Sequence, residues 1–463
     1  MTALQAQSGL GLLLLCTLAW ALGGCRRPIP WRVVAAGLGG QLFFAALLLH
    51  VPGARRFFDL LGGAVDALAA ATREGTGFVF GYLGGAPLPF AETRPGASFV
   101  LFFQALPLVL VVGALSALLY HWRILPAVVS VLSRGLHRAF GISGACGFSV
   151  AANVFVGMVE APLLIRAWLA TLPTAELFAV MVAGLATISG NMLVVYATLI
   201  APVVPDAAGQ LLAASLVGAP AAILAALLMM PPGASLRPGA EAAALAAAPG
   251  PGVGPTPPTA PADAASATAA LPITADPPPA AAAAPAEADD PPMPPLYDSA
   301  MEAIVRGTQD GLSLLLGIMA TLIVFVALVA LADAVLQPLT GLTVRQIMGW
   351  VMWPLALAMG VPLAEAGTVA ASLGVKVAVN EFVSYLELAT SGGAGLSERS
   401  RLILTWALCG FTNFASVGIM VGGLTVMCPE RRPEIVRLGL PSLLAATLAC
   451  CMMGAVVGLL TPG

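Results

Sequence analysis

Two carboxylates stand alone among apolar neighbours. Glu160 lies in "GISGACGFSVAANVFVGMVEAPLLIRAWLA" (Gly141–Ala170) and Glu381 in "GVPLAEAGTVAASLGVKVAVNEFVSYLEL" (Gly360–Leu388). A buried charge is expensive unless something answers it, so each is a functional candidate. A carboxylate in such a place can accept hydrogen bonds from substrate hydroxyls or hold a cation. Asn413 and Ser416, three residues apart, would share a helix face and offer donors and acceptors suited to a sugar, with Phe411 able to stack on a ring. Asn153 and Thr187 offer oxygens to a small cation. Lys376 is the one lysine among 20 basic residues, five positions before Glu381. Its compact ammonium suits a helix end or a nearby acid where a guanidinium would not fit.

Other chemistries lack their residues. The seven cysteines show no metal spacing and read as small apolar fillers, and the three histidines are far apart in sequence. No P-loop, HExxH or GxSxG occurs, so neither an ATPase nor another enzyme is expected. A net charge of −3 gives no reason to expect nucleic acid as a partner.

The elements that must position these residues are membrane helices. The 463 residues are 59% hydrophobic and 9% charged, against roughly a quarter charged in a soluble domain. Lipid is therefore the solvent for most of the surface. Apolar stretches predict eight crossings, near Ser8–Gly24, Val33–Val51, Ser98–Tyr120, Leu177–Ile200, Leu211–Met230, Leu312–Leu336, Leu402–Met427 and Leu440–Leu460. Each can span ~30 Å of hydrocarbon and must be helical there. "LGGC" before Cys25 loosely resembles a lipoprotein cleavage box, but no basic residue precedes the apolar run, so a first crossing is expected instead. Basic residues cluster after the first crossing (Arg26, Arg27, Arg32), the third (Arg123, Arg134, Arg138) and the seventh (Arg431, Arg432, Arg437). The positive-inside rule makes these loops cytoplasmic and both termini periplasmic.

The segments carrying Glu160 and Glu381 are too broken for plain spans and read as re-entrant hairpins lining a cavity. Each is followed by a helix with a polar break, "LATISGN" (Leu185–Asn191) and "CGFTNFAS" (Cys409–Ser416), and then by a plain helix. Paired broken segments in two halves point to a secondary transporter with its site at the repeat interface. The expected layout is 1–139 scaffold and interfacial helices, 140–230 first hairpin and transport-domain helices, 231–298 a Pro/Ala-rich disordered cytoplasmic linker, 299–340 a scaffold helix, and 341–463 second hairpin and transport-domain helices.

"GVKVAVNEFVSY" (Gly374–Tyr385) closely resembles the signature of the concentrative nucleoside transporters, with Ser384 in place of the usual Ala. "ANVFVGMVEAPLL" (Ala152–Leu164) resembles the family's first hairpin and "ALCGFTNFASVGI" (Ala407–Ile419) its later broken helix. The resemblance implies an all-α membrane protein of eight crossings and two re-entrant hairpins in an inverted repeat, a homotrimer, and elevator-like alternating access. It implies cation-coupled nucleoside uptake across a bacterial inner membrane, with sodium preferred over the proton as coupling ion. Carried over by position, Glu381, Asn413 and Ser416 would hold the ribose, with Phe411 beside the substrate and Glu160 toward the base. Asn153, Val156, Thr187 and Ile188 would form the sodium site. One departure stands out. Met158 and Val159 replace the Gln and Thr/Ser that the family uses to read the base and support the ion. That loss makes proton coupling through Glu160, or a non-transporting nucleoside receptor on the same fold, the alternatives.

Overall fold

The computed structural model describes residues 2–25, 29–90, 98–232 and 297–462. Arg26, Arg27 and nearly all of the Pro/Ala-rich stretch at 231–298 lie outside the described residues. Those that are described form helices and connecting turns, with no strand among them.

In chain order the α-helices are α1 Ala3–Leu22, α2 Trp31–His50, α3 Pro52–Phe80, α4 Leu101–Gln104, α5 Leu108–His121, α6 Ile124–Phe140, α7 Gly144–Ala152, α8 Glu160–Leu163, α9 Arg166–Leu169, α10 Thr174–Ala186, α11 Gly190–Ile200 and α12 Ala207–Met229. After the undescribed stretch come α13 Ala300–Thr340, α14 Val344–Ala358, α15 Leu363–Ala378, α16 Glu381–Thr390, α17 Glu398–Leu408, α18 Phe414–Met427 and α19 Arg432–Leu460. Seven helical stretches among the described residues are long and apolar enough to cross a membrane. The expected crossing at Leu402–Met427 is not among them. Its polar break splits it into α17 and α18, each shorter than a bilayer is thick.

Two expectations need their bounds revised. The span predicted at Leu312–Leu336 is the middle of the 41-residue α13, started by Ser299, whose hydroxyl accepts from the Glu302 N–H. The 29-residue α3 was not expected as a helix of that length. Its charged residues interrupt the apolar run that marks a span, while leaving helical propensity intact.

Burial separates the elements. In the most apolar stretch of α12, 89% of the residues are buried, against 6% in that of α13. The core therefore lies around α10, α12 and α19, and α13 turns apolar side chains such as Ile323, Val326 and Leu331 outward. Close backbone approach sets the packing. Gly113 of α5 meets Gly307 and Gly311 of α13, where a side chain at 113 would reach within 2.6 Å of the Gly307 carbonyl. Small residues let membrane helices touch in this way. Gly11 of α1 lies directly against the Ala358 carbonyl, leaving no room for a Cβ.

The polar residues near helix ends act as ties. Arg399 donates to the carbonyls of Leu4 and Thr461 and to the Ser8 hydroxyl, joining α1, α17 and the end of α19. Glu176 of α10 accepts from the backbone and hydroxyl of Ser143, the cap of α7. Glu365 of α15 accepts in the same manner from Ser397, the cap of α17. Asp333 accepts from the Val344 N–H, and Glu387 pairs with Arg345 at 2.8 Å.

The Gly11 contact yields a prediction. Gly11→Val forces α1 away from Ala358, destabilising the protein by at least the ~1–3 kcal/mol of an overpacked core. The thermal midpoint of purified protein in detergent measures it, and an unchanged midpoint would contradict the contact.

Candidate functional site

Helices cannot continue through the residues that carry the chemistry, and the breaks themselves build the site. Between α15 and α16 the chain turns back on itself, and the Ser384 hydroxyl donates to the Ser372 carbonyl at 2.9 Å across the turn. Asn380 caps α16, its side-chain oxygen accepting from the Val383 N–H at 3.0 Å. Glu381 is thereby held in the first turn of α16, where the positive end of the helix dipole favours a carboxylate.

The Glu381 side chain is buried and fully answered. Tyr196 of α11 donates its hydroxyl to Oε1 at 2.8 Å, and Asn413 donates its amide to Oε2 at 2.9 Å. The Tyr196 ring is fixed in turn by Tyr385, with centroids 4.6 Å apart, and Tyr385 donates to the Thr405 carbonyl. Lys376 is buried and donates to the Ala407 carbonyl at 2.8 Å, near the end of α17. Its partner is thus a helix end, not an acid.

Asn413 and Ser416 meet differently from the expectation of a shared helix face. Asn413 has extended backbone and caps α18, its Oδ1 accepting from the Ser416 N–H at 2.8 Å. One amide therefore starts a helix with its oxygen and holds Glu381 with its nitrogen. Phe411 lies half-buried in the same break.

The other break forms a second cluster. α10 ends at Ala186, Ser189 caps α11, and Thr187 between them donates to the Ala183 carbonyl at 2.9 Å and the Asn153 carbonyl at 3.1 Å. The Gly190 N–H donates to the Phe155 carbonyl at 2.8 Å, tying the turn after α7 to the broken helix. Asn153 and Ile188 are buried, and Val156 is half-buried in that turn. Both polar atoms of the Asn153 side chain are buried without a partner. Such atoms are costly to leave unsatisfied, and a ligand or cation at this point would satisfy the oxygen. The two breaks touch where Gly410 lies against the Ala186 carbonyl and the Cys450 thiol.

The first turn places its residues otherwise than the motif suggests. Glu160 is exposed and folds back over Gly157, outside the hydrogen-bonded group around Glu381. Met158 packs toward Gly184 of α10 and Val159 toward Gly423 of α18, where a side chain at 423 would stand 2.8 Å from Val159 Cγ1. Both fill helix notches. A cavity of about 400 Å³, lined in part by Thr72, Arg73, Gln104, Thr198 and Phe382, reaches the residue next to Glu381. Sequence reasoning missed Tyr196. The available signal was a phenol in an otherwise apolar helix, which must find a partner when buried.

Comparison with known proteins gives a consistent picture. A family model described as "Na+ dependent nucleoside transporter C-terminus" matches residues 210–458, its N-terminal counterpart matches 10–83, and a "Gate: Nucleoside recognition" model matches 102–203. The chain is 34% identical to an uncharacterized transporter of Haemophilus influenzae, covering 97% of this chain and 96% of that protein. It is 30% identical to the nucleoside permease NupC of Helicobacter pylori, covering 98% and 97%. A solved structure of CNTnw in an inward-facing substrate-bound state is similar with a TM-score of 0.79 at 29% identity, covering 98% of this chain and 97% of that one.

Tyr196→Phe keeps the ring packing and removes only the donor to Glu381. Its expected effect is a loss of ~1.5–3 kcal/mol, the size of a hydrogen bond to a charged group. Asn413→Ala loses in addition an N-cap, typically ~1 kcal/mol. Thermal unfolding in detergent should therefore rank wild type above Tyr196→Phe above Asn413→Ala, and any other order contradicts the geometry.

Proposed function

The chain belongs to the Na+-dependent nucleoside transporter family, and on that premise we propose that it takes nucleosides into the cell by cation symport, with sodium ahead of the proton as coupling ion. The observation that carries the cargo is the buried Glu381 carboxyl, each of whose oxygens is held by a neutral donor, Tyr196 or Asn413, in a break between helices. Ribose hydroxyls are donors as well as acceptors, and they would exchange with these neutral donors without stranding a charge. Ser416 beside Asn413 completes the polar edge, and Phe411 offers a face for stacking.

For the ion, the chemistry of the donor set fits. Asn153 brings an unpartnered side-chain oxygen, Thr187 a hydroxyl already turned toward the Asn153 carbonyl, and Val156 and Ile188 their backbone carbonyls. Oxygen ligands of this kind suit a small hard cation, and missing ligands can be replaced by water. Asn153 lies in the turn before Glu160, and Thr187 lies in the break of the following helix. A cation bound between them fastens one to the other, so ion and nucleoside favour each other's binding.

The carriage is an elevator. The segments α7–α9 and α15–α16 act as re-entrant hairpins, moving with α10–α12 and α17–α19 against a scaffold that includes α5 and α13. The outward-facing apolar surface of α13 supports a homotrimer built on that scaffold. Arginines at 123, 134, 138, 431, 432 and 437 mark the cytoplasmic face of a bacterial inner membrane, with both termini periplasmic. The Pro/Ala-rich stretch at 231–298 is then a cytoplasmic linker.

One observation favours a second reading. Met158 and Val159 sit in helix notches at the place where the family reads the base. A transporter that has lost this grip on base and ion could serve as a nucleoside-binding receptor. Radiolabelled uridine and adenosine uptake into proteoliposomes, under a sodium and then a proton gradient, separates the two. Accumulation above equilibrium establishes symport and names the ion, whereas binding without accumulation establishes the receptor.

Two variants test the residues. Glu381→Gln abolishes uptake while the protein stays folded, and normal uptake would remove Glu381 from the ribose site. Met158→Gln combined with Val159→Thr strengthens the sodium dependence of uptake, and an unchanged response would show that these positions do not weaken the ion site.

A further inference from the structure

The two breaks are in register. Ser189 and Asn413 each cap the helix that resumes after a break, and Ala183 and Ala407 each stand six residues before their cap. Both carbonyls accept a hydrogen bond from a side chain, but the donors differ in kind. At the first break the donor is the neutral Thr187 hydroxyl, with the unpartnered Asn153 amide beside it. At the second the donor is the Lys376 ammonium, 1% exposed.

A buried ammonium ordinarily has a carboxylate against it. Among the described residues none lies within ion-pair distance of Lys376 Nζ. Its hydrogen bond goes to the carbonyl end of α17, whose helix dipole is negative there, while the buried Glu381 carboxyl, beyond ion-pair distance, acts on its charge from farther off. The space left around it is about 10 Å³, bordered by Thr412, Thr447 and Cys450, and the Thr412 hydroxyl is buried without a partner. That space holds one water at most. The ammonium therefore sits against a helix-end carbonyl, beside a small space that an unpartnered hydroxyl also borders.

We propose that Lys376 is a tethered cation: it fills at the second break the position that Asn153 and Thr187 leave for a mobile cation at the first. The inference rests on the symport reading for the identity of that mobile ion. Its consequence is that the chain binds one exchangeable cation with each nucleoside, since the second position is occupied covalently. Removing the side chain while leaving space converts that position into a site for a small monovalent cation or an alkylammonium. Arginine does not substitute, because a planar guanidinium does not fit the space.

The test uses full-length Lys376→Ala and Lys376→Met in proteoliposomes, with uridine uptake measured against sodium concentration, with and without methylammonium. Lys376→Ala uptake is expected to fall at least about tenfold. Methylammonium should restore it in part, and without amine the sodium dependence should steepen toward two-ion behaviour. Lys376→Met fills the space without a charge, so its uptake falls equally and amine does not restore it. Uptake of either variant within about twofold of wild type would overturn the proposal. So would a loss in Lys376→Ala that no amine restores and that leaves the sodium curve unchanged. If Lys376→Ala does not fold, Lys376→Met decides: lost uptake with an unchanged thermal midpoint upholds the tethered cation, and retained uptake rejects it. The amine arm needs no sodium dependence of the wild type, so failure of the sodium reading is recognised separately by a flat wild-type sodium curve.

Discussion

Every backbone N–H and C=O inside an apolar surround must find a partner, and the two helix breaks are where this requirement is hardest to meet. The structure meets it with side chains that serve twice. Asn413 caps α18 and holds Glu381, and Thr187 bridges two carbonyls from separate segments. The Cys450 thiol lies 3.8 Å from both the Ala186 and Cys409 carbonyls, at the seam between the breaks. Because repair of the backbone and assembly of the site use the same atoms, the site is as ordered as the fold that surrounds it.

The packing around the breaks follows the same economy of space. Gly410 admits the Ala186 carbonyl, Gly190 admits the Phe155 carbonyl, and Gly423 admits the Val159 side chain. A methyl at 190 would stand 2.8 Å from the Phe155 oxygen. These glycines let segments from distant parts of the sequence meet at backbone distance. The ties at the helix ends, Glu176 with Ser143 and Glu365 with Ser397, fix the outer ends of the same segments. Each broken unit is thus pinned at its base.

The helical class, the breaks and the burial of Glu381, Asn413 and Lys376 within them were legible because each is a local anomaly: a charge or amide in an apolar run, or a lone lysine among arginines. Partnership was not. Tyr196 and Glu381 are 185 residues apart, and nothing local in either marks the other. The role of Asn413 also escaped the simple reading, since helical spacing to Ser416 presumed a helix that in fact begins after it. Met158 and Val159 illustrate a further limit. The motif says which residues are unusual there, but only the notches at Gly184 and Gly423 say where they go. The length of α3 was hidden because its charges, spread along a helix, do not read as an apolar span.

At ~1.5 Å per residue the 41-residue α13 is roughly 62 Å long, about twice the ~30 Å of a hydrocarbon core. Its first turns, with Arg306 and Glu302 paired at 2.9 Å and partly exposed, belong to water or headgroups. The apolar portion from Leu312 to Leu336, at roughly 37 Å, still exceeds the core, a mismatch that tilting of the helix takes up. The rod is seated on α5 through Gly113, Gly307 and Gly311, with backbone against backbone and only the Ala117 methyl at the joint. Its lean is therefore shared with α5, and a thicker bilayer that stands the rod upright turns both helices together. Membrane thickness becomes a mechanical input to the pair formed by α13 and α5.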